Sequence, residues 1–198
     1  MRTCRECVAG RGRHPRQIHP RPVMPSMPIK VLFLCTANSA RSILFAATLN
    51  HLGQGRFEAH SAGSQPAGFV NPNALIELGR RGIPAEGARS KSWDEYAGSD
   101  AAAFDVVVTV CDSAANESCP VFYGNFVKAH WGLPDPASIN GDPAIVEDAF
   151  RRTEDVIVTR LQALIGLPVE ALSREALQQA LVDIDARFPA RPLEGNRA

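Results

Sequence analysis

The stretch CTANSARS, residues 35 to 42, puts a thiol, a run of small polar residues and a guanidinium within eight positions. A cysteine attacks as its thiolate, and a helix N-terminus or a nearby cation lowers the pKa of the thiol. Thr36, Ala37, Asn38, Ser39 and Ala40 are small enough to let a loop turn its backbone N–H groups inward. Such a nest, followed by a helix starting near Arg41 or Ser42, is a cradle for a tetrahedral oxyanion. Arg41, six residues after Cys35, carries the planar fork that grips two oxygens at once. Ser42 is placed to donate a hydrogen bond to the sulfur. The spacing therefore predicts that Cys35, held as a thiolate, attacks an oxyanion bound by the 36–42 loop. It does not say which oxyanion.

Such a loop needs a rigid element before it and a helix after it, and the flanking patterns supply both. IKVLFL, from Ile29, is a short aliphatic run suited to a strand buried on both faces, and SARSILFAATLNHL repeats apolar residues at helical spacing. RFEAHSAG reads as a second strand turning at Gly63. NPNALIELGRRGI reads as a helix with Pro72 in its first turn and Gly82 near its end. KSWDEYA predicts a short helix, FDVVVTV (104–110) the clearest strand, and VKAHWG a fourth. The segment DPAIVEDAFRRTEDVIVTRLQALIGL predicts a long amphipathic helix ending at Gly166, with Ile145, Ala149, Val156, Leu161 and Ile165 among its apolar positions. A last helix, SREALQQALVDIDARF, reads as an appendage or packing arm. Alternating strands and helices imply an α/β fold, three-layer α/β/α with a four-stranded parallel sheet. Active sites of such sheets lie at the carboxyl ends of the strands, where Cys35 falls.

Composition bounds the remaining possibilities. The 198 residues carry 21 basic and 21 acidic side chains, so no overall field argues for nucleic acid, a membrane surface or a highly acidic partner. No apolar run is long enough to cross a bilayer. Residues 1–28 differ from the rest: six arginines stand against the single acid Glu6, with five prolines and few apolar groups. That composition predicts a disordered basic extension without the apolar core of a secretory signal, and Met24 or Met27 as the natural start. Cys4 and Cys7 in it read as two exposed thiols. The expected organisation is an extension over 1–28, a catalytic domain over 29–166 and a helical extension over 167–198. Free thiols point to a cytoplasmic protein.

CTANSARS matches the C-x5-R-S phosphate-binding loop of the low-molecular-weight protein tyrosine phosphatase superfamily, which includes thiol-dependent arsenate reductases. The chain resembles that superfamily further in HSAG at 60–63, NPNALIELGRRGI, SKSW at 90–93 and WGLPDP at 131–136. The resemblance runs from Ile29 to about Gly166 and implies a low-molecular-weight phosphatase-like fold. It also implies that Cys35 attacks the bound oxyanion, and that Asp135, in its Asp-Pro pair, protonates the leaving oxygen. Ala46 stands where some relatives carry a potassium-binding glutamate, so no metal site is expected, and Asn38 and Ser61 are expected to hold the loop by hydrogen bonds.

Cys111 and Cys119, eight residues apart after the third strand, decide between the two branches. Hydrolysis of a phosphocysteine needs no further thiol, whereas reduction of arsenate needs two electrons, which two sulfurs supply on forming a disulfide. The segment VVVTVCDSAANESCPVF resembles the redox segment of the reductases, and Asp135 is not followed closely by the aromatic residues that are typical of the phosphatases. The implied activity is an arsenate reductase with Cys35, Cys111 and Cys119 as a thiol relay. Low-molecular-weight tyrosine phosphatase and a non-enzymatic oxyanion-sensing module are the alternatives. No tightly bound cofactor is implied. The external reductant is thioredoxin or glutathione with glutaredoxin; Cys111 and Cys119 stand one residue further apart than in thioredoxin-coupled relatives, which leaves that choice open. A monomer is expected. His60 and His130 read as core-edge residues, and Trp131 as packing beneath the acid loop.

Overall fold

A computed structural model describes residues 27–97, 103–111 and 125–193. The N-terminal extension with Cys4 and Cys7, and Cys119 with its surroundings, lie outside the described residues. Four strands form one parallel sheet in the order β2-β1-β3-β4: β1 Ile29–Cys35, β2 Phe57–Gly63, β3 Val106–Thr109 and β4 Val127–His130. The helices are α1 Arg41–Leu52, α2 Pro72–Arg80, α3 Pro143–Ile165 and α4 Arg174–Arg187.

The two-residue period of β1 divides the core. Val31, Phe33 and Cys35 join one apolar cluster with α1, α3 and α4, while Leu32 and Leu34 join another with Ala62, Trp93, Phe104 and Val107. Helices thus cover one face of the sheet, and the 3-10 helix Trp93–Tyr96 with Phe104 covers the other, completing three layers. Helix boundaries follow capping chemistry. Asn71, Asp142 and Ser173 accept hydrogen bonds from Asn73 N, Ala144 N and Ala176 N at the starts of α2, α3 and α4, and Pro72 and Pro143 occupy first-turn positions. The helix expected over KSWDEYA is that 3-10 turn, capped by Ser92. On α3 the apolar stripe buries Ala149, Phe150, Ile157, Leu161 and Leu164, but Ile145 in its first turn is 43% exposed.

Two charged residues of α3 are enclosed, which its amphipathic pattern did not predict. Arg160, 1% exposed, donates from Nε and Nη2 to Phe188 O and pairs with Asp185 at 2.8 Å. Glu154 is fully buried; Thr48 on α1 donates to its Oε1 at 2.6 Å, and Oε2 has no partner. Burial pushes the Glu154 carboxyl up to about 8, against the Thr48 hydrogen bond and the charge of Arg81. The unfolded chain gives up this proton near the ordinary value of 4.5, so the folded state loses relative stability as pH rises from there through 8. Glu154→Gln is therefore expected to leave the thermal midpoint near that of wild type at pH 5. At pH 9 it should raise stability by roughly 3–5 kcal/mol at most, read by calorimetry at both pH values.

Candidate active site

Cys35 ends β1 and is 3% exposed, with its sulfur enclosed by the turn that follows. The Asn38 N–H donates to Sγ at 3.1 Å, and Ser42 Oγ lies 3.0 Å from it. Asn38 has φ 45°, the left-handed region that asparagine tolerates better than most residues. Its side chain locks the turn: Nδ2 donates to Ser42 Oγ at 2.8 Å, and Oδ1 accepts from Lys91 N at 2.9 Å. Asn38 thus holds the loop as the sequence led one to expect. Ala37 takes no positive φ, so its methyl group imposes no strain there.

The loop carbonyls are tied on one side. Cys35 O, Thr36 O, Ala37 O and Ser39 O accept from the N–H groups of Ser64, Gln65, Ala67 and Asn71, and Ser90 Oγ also donates to Ala37 O. Peptide geometry turns the corresponding N–H groups to the opposite side, where that of Asn38 already meets the sulfur. Ala40, at the N-cap of α1, offers no side-chain acceptor, so the first-turn N–H groups lack a side-chain cap and suit an incoming anion. The close approach of the second strand needs Gly63: a Cβ there would stand 2.3 Å from Thr36 O.

Arg41, the first residue of α1, reaches across to the loop after β4. Its Nη1 donates to Leu133 O at 2.9 Å and its Nη2 to Asp135 Oδ2 at 2.8 Å. The other carboxylate oxygen of Asp135 accepts from Ala137 N at 3.1 Å, capping the 3-10 turn Pro136–Ser138. Asp135 is therefore both a cap and a neighbour of the cradle. Trp131 is fully buried, and its indole N–H donates to Leu181 O on α4 at 2.9 Å.

Cys111 follows β3 at the same end of the sheet, is 3% exposed, and lies with its sulfur 3.6 Å from Thr36 Oγ1. The Val110 N–H donates to Leu34 O at 2.8 Å, which holds the chain before Cys111 beside the end of β1. Among the described residues, neither Cys35 nor Cys111 forms a disulfide. The structure thus brings Cys35, Arg41, Asp135 and Cys111 to one sheet end, while Cys119 is outside the described residues. His60 pairs with Glu58 at 2.8 Å and meets Tyr96 OH, and His130 Nδ1 lies 2.9 Å from Thr109 Oγ1, so each histidine has a partner outside the cradle.

One expectation is corrected. Burial pushes the Cys35 thiol above its ordinary value, overriding the Ser42 hydrogen bond, the Arg41 charge and the Asn38 N–H, while nearby Cys111 adds to the rise. The reason is that the sulfur is enclosed and the charge of Arg41 is already shared with Asp135. Ser42→Ala removes one of the groups favouring the thiolate. It is expected to move the pH midpoint of Cys35 alkylation by iodoacetamide further up; a downward move would contradict this account of the sulfur.

Lys91 N, Ser90 and Leu133 O were missed as holders of the site. The SKSW signature marked Ser90 and Lys91, but backbone donors and acceptors leave no trace in residue identity.

A parallel four-stranded sheet with a cysteine cradle after its central first strand and an Arg–Asp pair across it defines an oxyanion-handling class of thiol proteins. The family model for low molecular weight phosphotyrosine protein phosphatase matches residues 30–179, and the chain belongs to that family. Within it, an arsenate reductase from Halalkalibacterium halodurans is 35% identical over 133 residues, 67% of this chain and 91% of that protein. The crystal structure of an arsenate reductase from Archaeoglobus fulgidus superposes with TM-score 0.54 at 31% identity, covering 69% of this chain and 99% of that one. A thioredoxin-dependent arsenate reductase from Corynebacterium glutamicum gives TM-score 0.51 at 27% identity, over 72% of this chain and 64% of that one.

Proposed function

We propose that this protein reduces arsenate to arsenite through a thiol relay drawing on an external reductant. The observation that carries this reading is the second buried thiol, Cys111, at the same sheet end as Cys35 and linked to the cradle through Thr36. Ester hydrolysis would use Cys35, Arg41 and Asp135 and leave Cys111 without a task. The arsenate reductases similar to this chain support the same choice.

Arsenate enters the cradle by taking over Arg41, which displaces the carboxylate of Asp135 from Nη2. The freed Asp135 then stands close to the anion, where its protonated form serves as the acid. A protonated Cys35 thiol and an arsenate dianion together carry the same charge as a thiolate and a monoanion. The bound anion therefore serves as the base for the buried thiol. Cys35 Sγ attacks arsenic, and Asp135 protonates the departing hydroxide, which leaves as water. Cys111 Sγ next attacks Cys35 Sγ; the sulfur–arsenic bond breaks with its electron pair staying on arsenic and the Cys111 proton leaves on the arsenite, giving arsenite and a Cys35–Cys111 disulfide. Cys119 thiolate displaces Cys35 from Cys111 and leaves a Cys111–Cys119 disulfide for the reductant. A small thiol such as glutathione making the first attack in place of Cys111 is the variant of this scheme.

The test supplies arsenate with reduced thioredoxin, or with glutathione and glutaredoxin, and measures arsenite beside hydrolysis of a phenyl phosphate ester. Arsenite formed with thioredoxin alone supports the relay. Dependence on glutathione and glutaredoxin replaces the Cys111 step by the small thiol, and ester hydrolysis without arsenite overturns the reductase reading.

A further inference from the structure

The last segment of the chain contacts the acid loop, and it lies largely beyond the family match, which ends at residue 179 within α4. Three features bracket Asp135. Upstream, Trp131 donates its indole N–H to Leu181 O, inside a fully buried environment to which Leu177, Leu181 and Ile184 of α4 belong. Beside it, Leu133 and Pro134 share the lining of a cleft of 290 Å³ with Pro189, Ala190 and Leu193. Downstream, Leu193 packs in one cluster with Ile139, the residue that ends the 3-10 turn capped by Asp135. The segment is itself fastened to α3, because Arg160 donates twice to Phe188 O and pairs with Asp185. Its first turn is fastened to the edge of the sheet, where Arg174 donates to Asn125 O and Phe126 O.

Apart from the turn that holds Asp135 itself, where Ala137 N donates to its Oδ1 and Ser138 N and Oγ donate to its main-chain O, the stretch from Trp131 to Asp135 is tied by Trp131 N to Thr109 O, Leu133 N to Val110 O and the Arg41 donation to Leu133 O. The Arg41 tie is part of the site and changes when an anion takes over the guanidinium. Once Arg41 turns to substrate, the turn with Ala137 and Ser138 still shapes Asp135 locally, and the backing behind the loop sets where that turn stands relative to the cradle. We propose that α4 and residues 188–193 form a positioning element for the general acid, acting through Trp131 and Leu133 and resting on the assignment of Asp135 made above. Trp131 is then a positioning residue whose indole N–H sets where the acid stands relative to the cradle.

Trp131→Phe keeps a large ring and removes the N–H, and Asp185→Asn loosens the segment at its far anchor without touching the buried ring. Arsenite formation is measured in single turnover for each variant, alone and combined with Asp135→Asn, and binding of inorganic phosphate is measured by its competition with Cys35 alkylation. Trp131→Phe is expected to slow turnover about tenfold, since small misplacements of a catalytic group are costly. Asp185→Asn should slow it less, and phosphate binding should stay within twofold of wild type for both, because the cradle is built on β1 and α1. In the Asp135→Asn background both effects should vanish, as there is no acid left to position. An equal slowing with and without Asp135, or no slowing by either variant, overturns the inference while leaving the reductase mechanism intact. Wild-type turnover in Asp135→Asn alone overturns the acid assignment, and the inference with it.

Discussion

Cys111→Ser is expected to abolish arsenite release while leaving the first chemical step intact. Cys35 would still attack bound arsenate, because its sulfur, Asn38 N–H, Ser42 and Arg41 are untouched by the substitution. The sulfur–arsenic bond, however, can be cleaved with two electrons only by a second thiol, and a serine hydroxyl at this position cannot form the disulfide. The loss should exceed about 10³-fold in thioredoxin-coupled turnover, the size expected when a covalent step loses its nucleophile. Thiol titration should show Cys35 consumed without disulfide formation. Retained turnover with glutathione and glutaredoxin would assign the first attack to the small thiol.

Asp135→Asn separates binding from chemistry in the opposite direction. The carboxylate pairs with Arg41 Nη2 at 2.8 Å, so it competes with the substrate for that donor. With an amide in its place the guanidinium is freer, and inorganic phosphate or arsenate should bind as tightly as in wild type or more tightly. The leaving oxygen, in contrast, loses its proton donor, and the rate of the first step should fall by about 10²–10³-fold. A fall in affinity equal to the fall in rate would show instead that Asp135 merely holds the loop. A non-enzymatic oxyanion sensor would show no rate to lose.

Much of this was legible before any coordinates. β1, the CTANSARS turn and α1 follow from an aliphatic run, a string of small residues and a helical apolar repeat, because each level points to the same local structure. Asp135 could be found from its Asp-Pro pair in WGLPDP, and Cys111 from its place after the valine-rich strand. The upward push on the Cys35 thiol was not legible. The sequence shows the donors around the sulfur but not its enclosure, nor that Asp135 shares the charge of Arg41. Glu154 and Arg160 were hidden for a similar reason: an amphipathic helix pattern assigns charged residues to solvent, and only the packing of α1 and of the final segment encloses them. The bracket around the acid loop depends largely on main-chain acceptors, Leu181 O and Phe188 O, which any residue could provide.

The central claim is that electrons pass from thiols of this chain to arsenic. The most direct measurement is a single turnover of fully reduced protein with arsenate and no external reductant, quenched in acid, with arsenite quantified and the thiols mapped by alkylation and peptide mass. The account predicts one arsenite released per protein molecule and two thiols lost, with the disulfide found between Cys111 and Cys119. Arsenite released with all thiols still free, or no arsenite from protein that hydrolyses a phenyl phosphate ester, would contradict it.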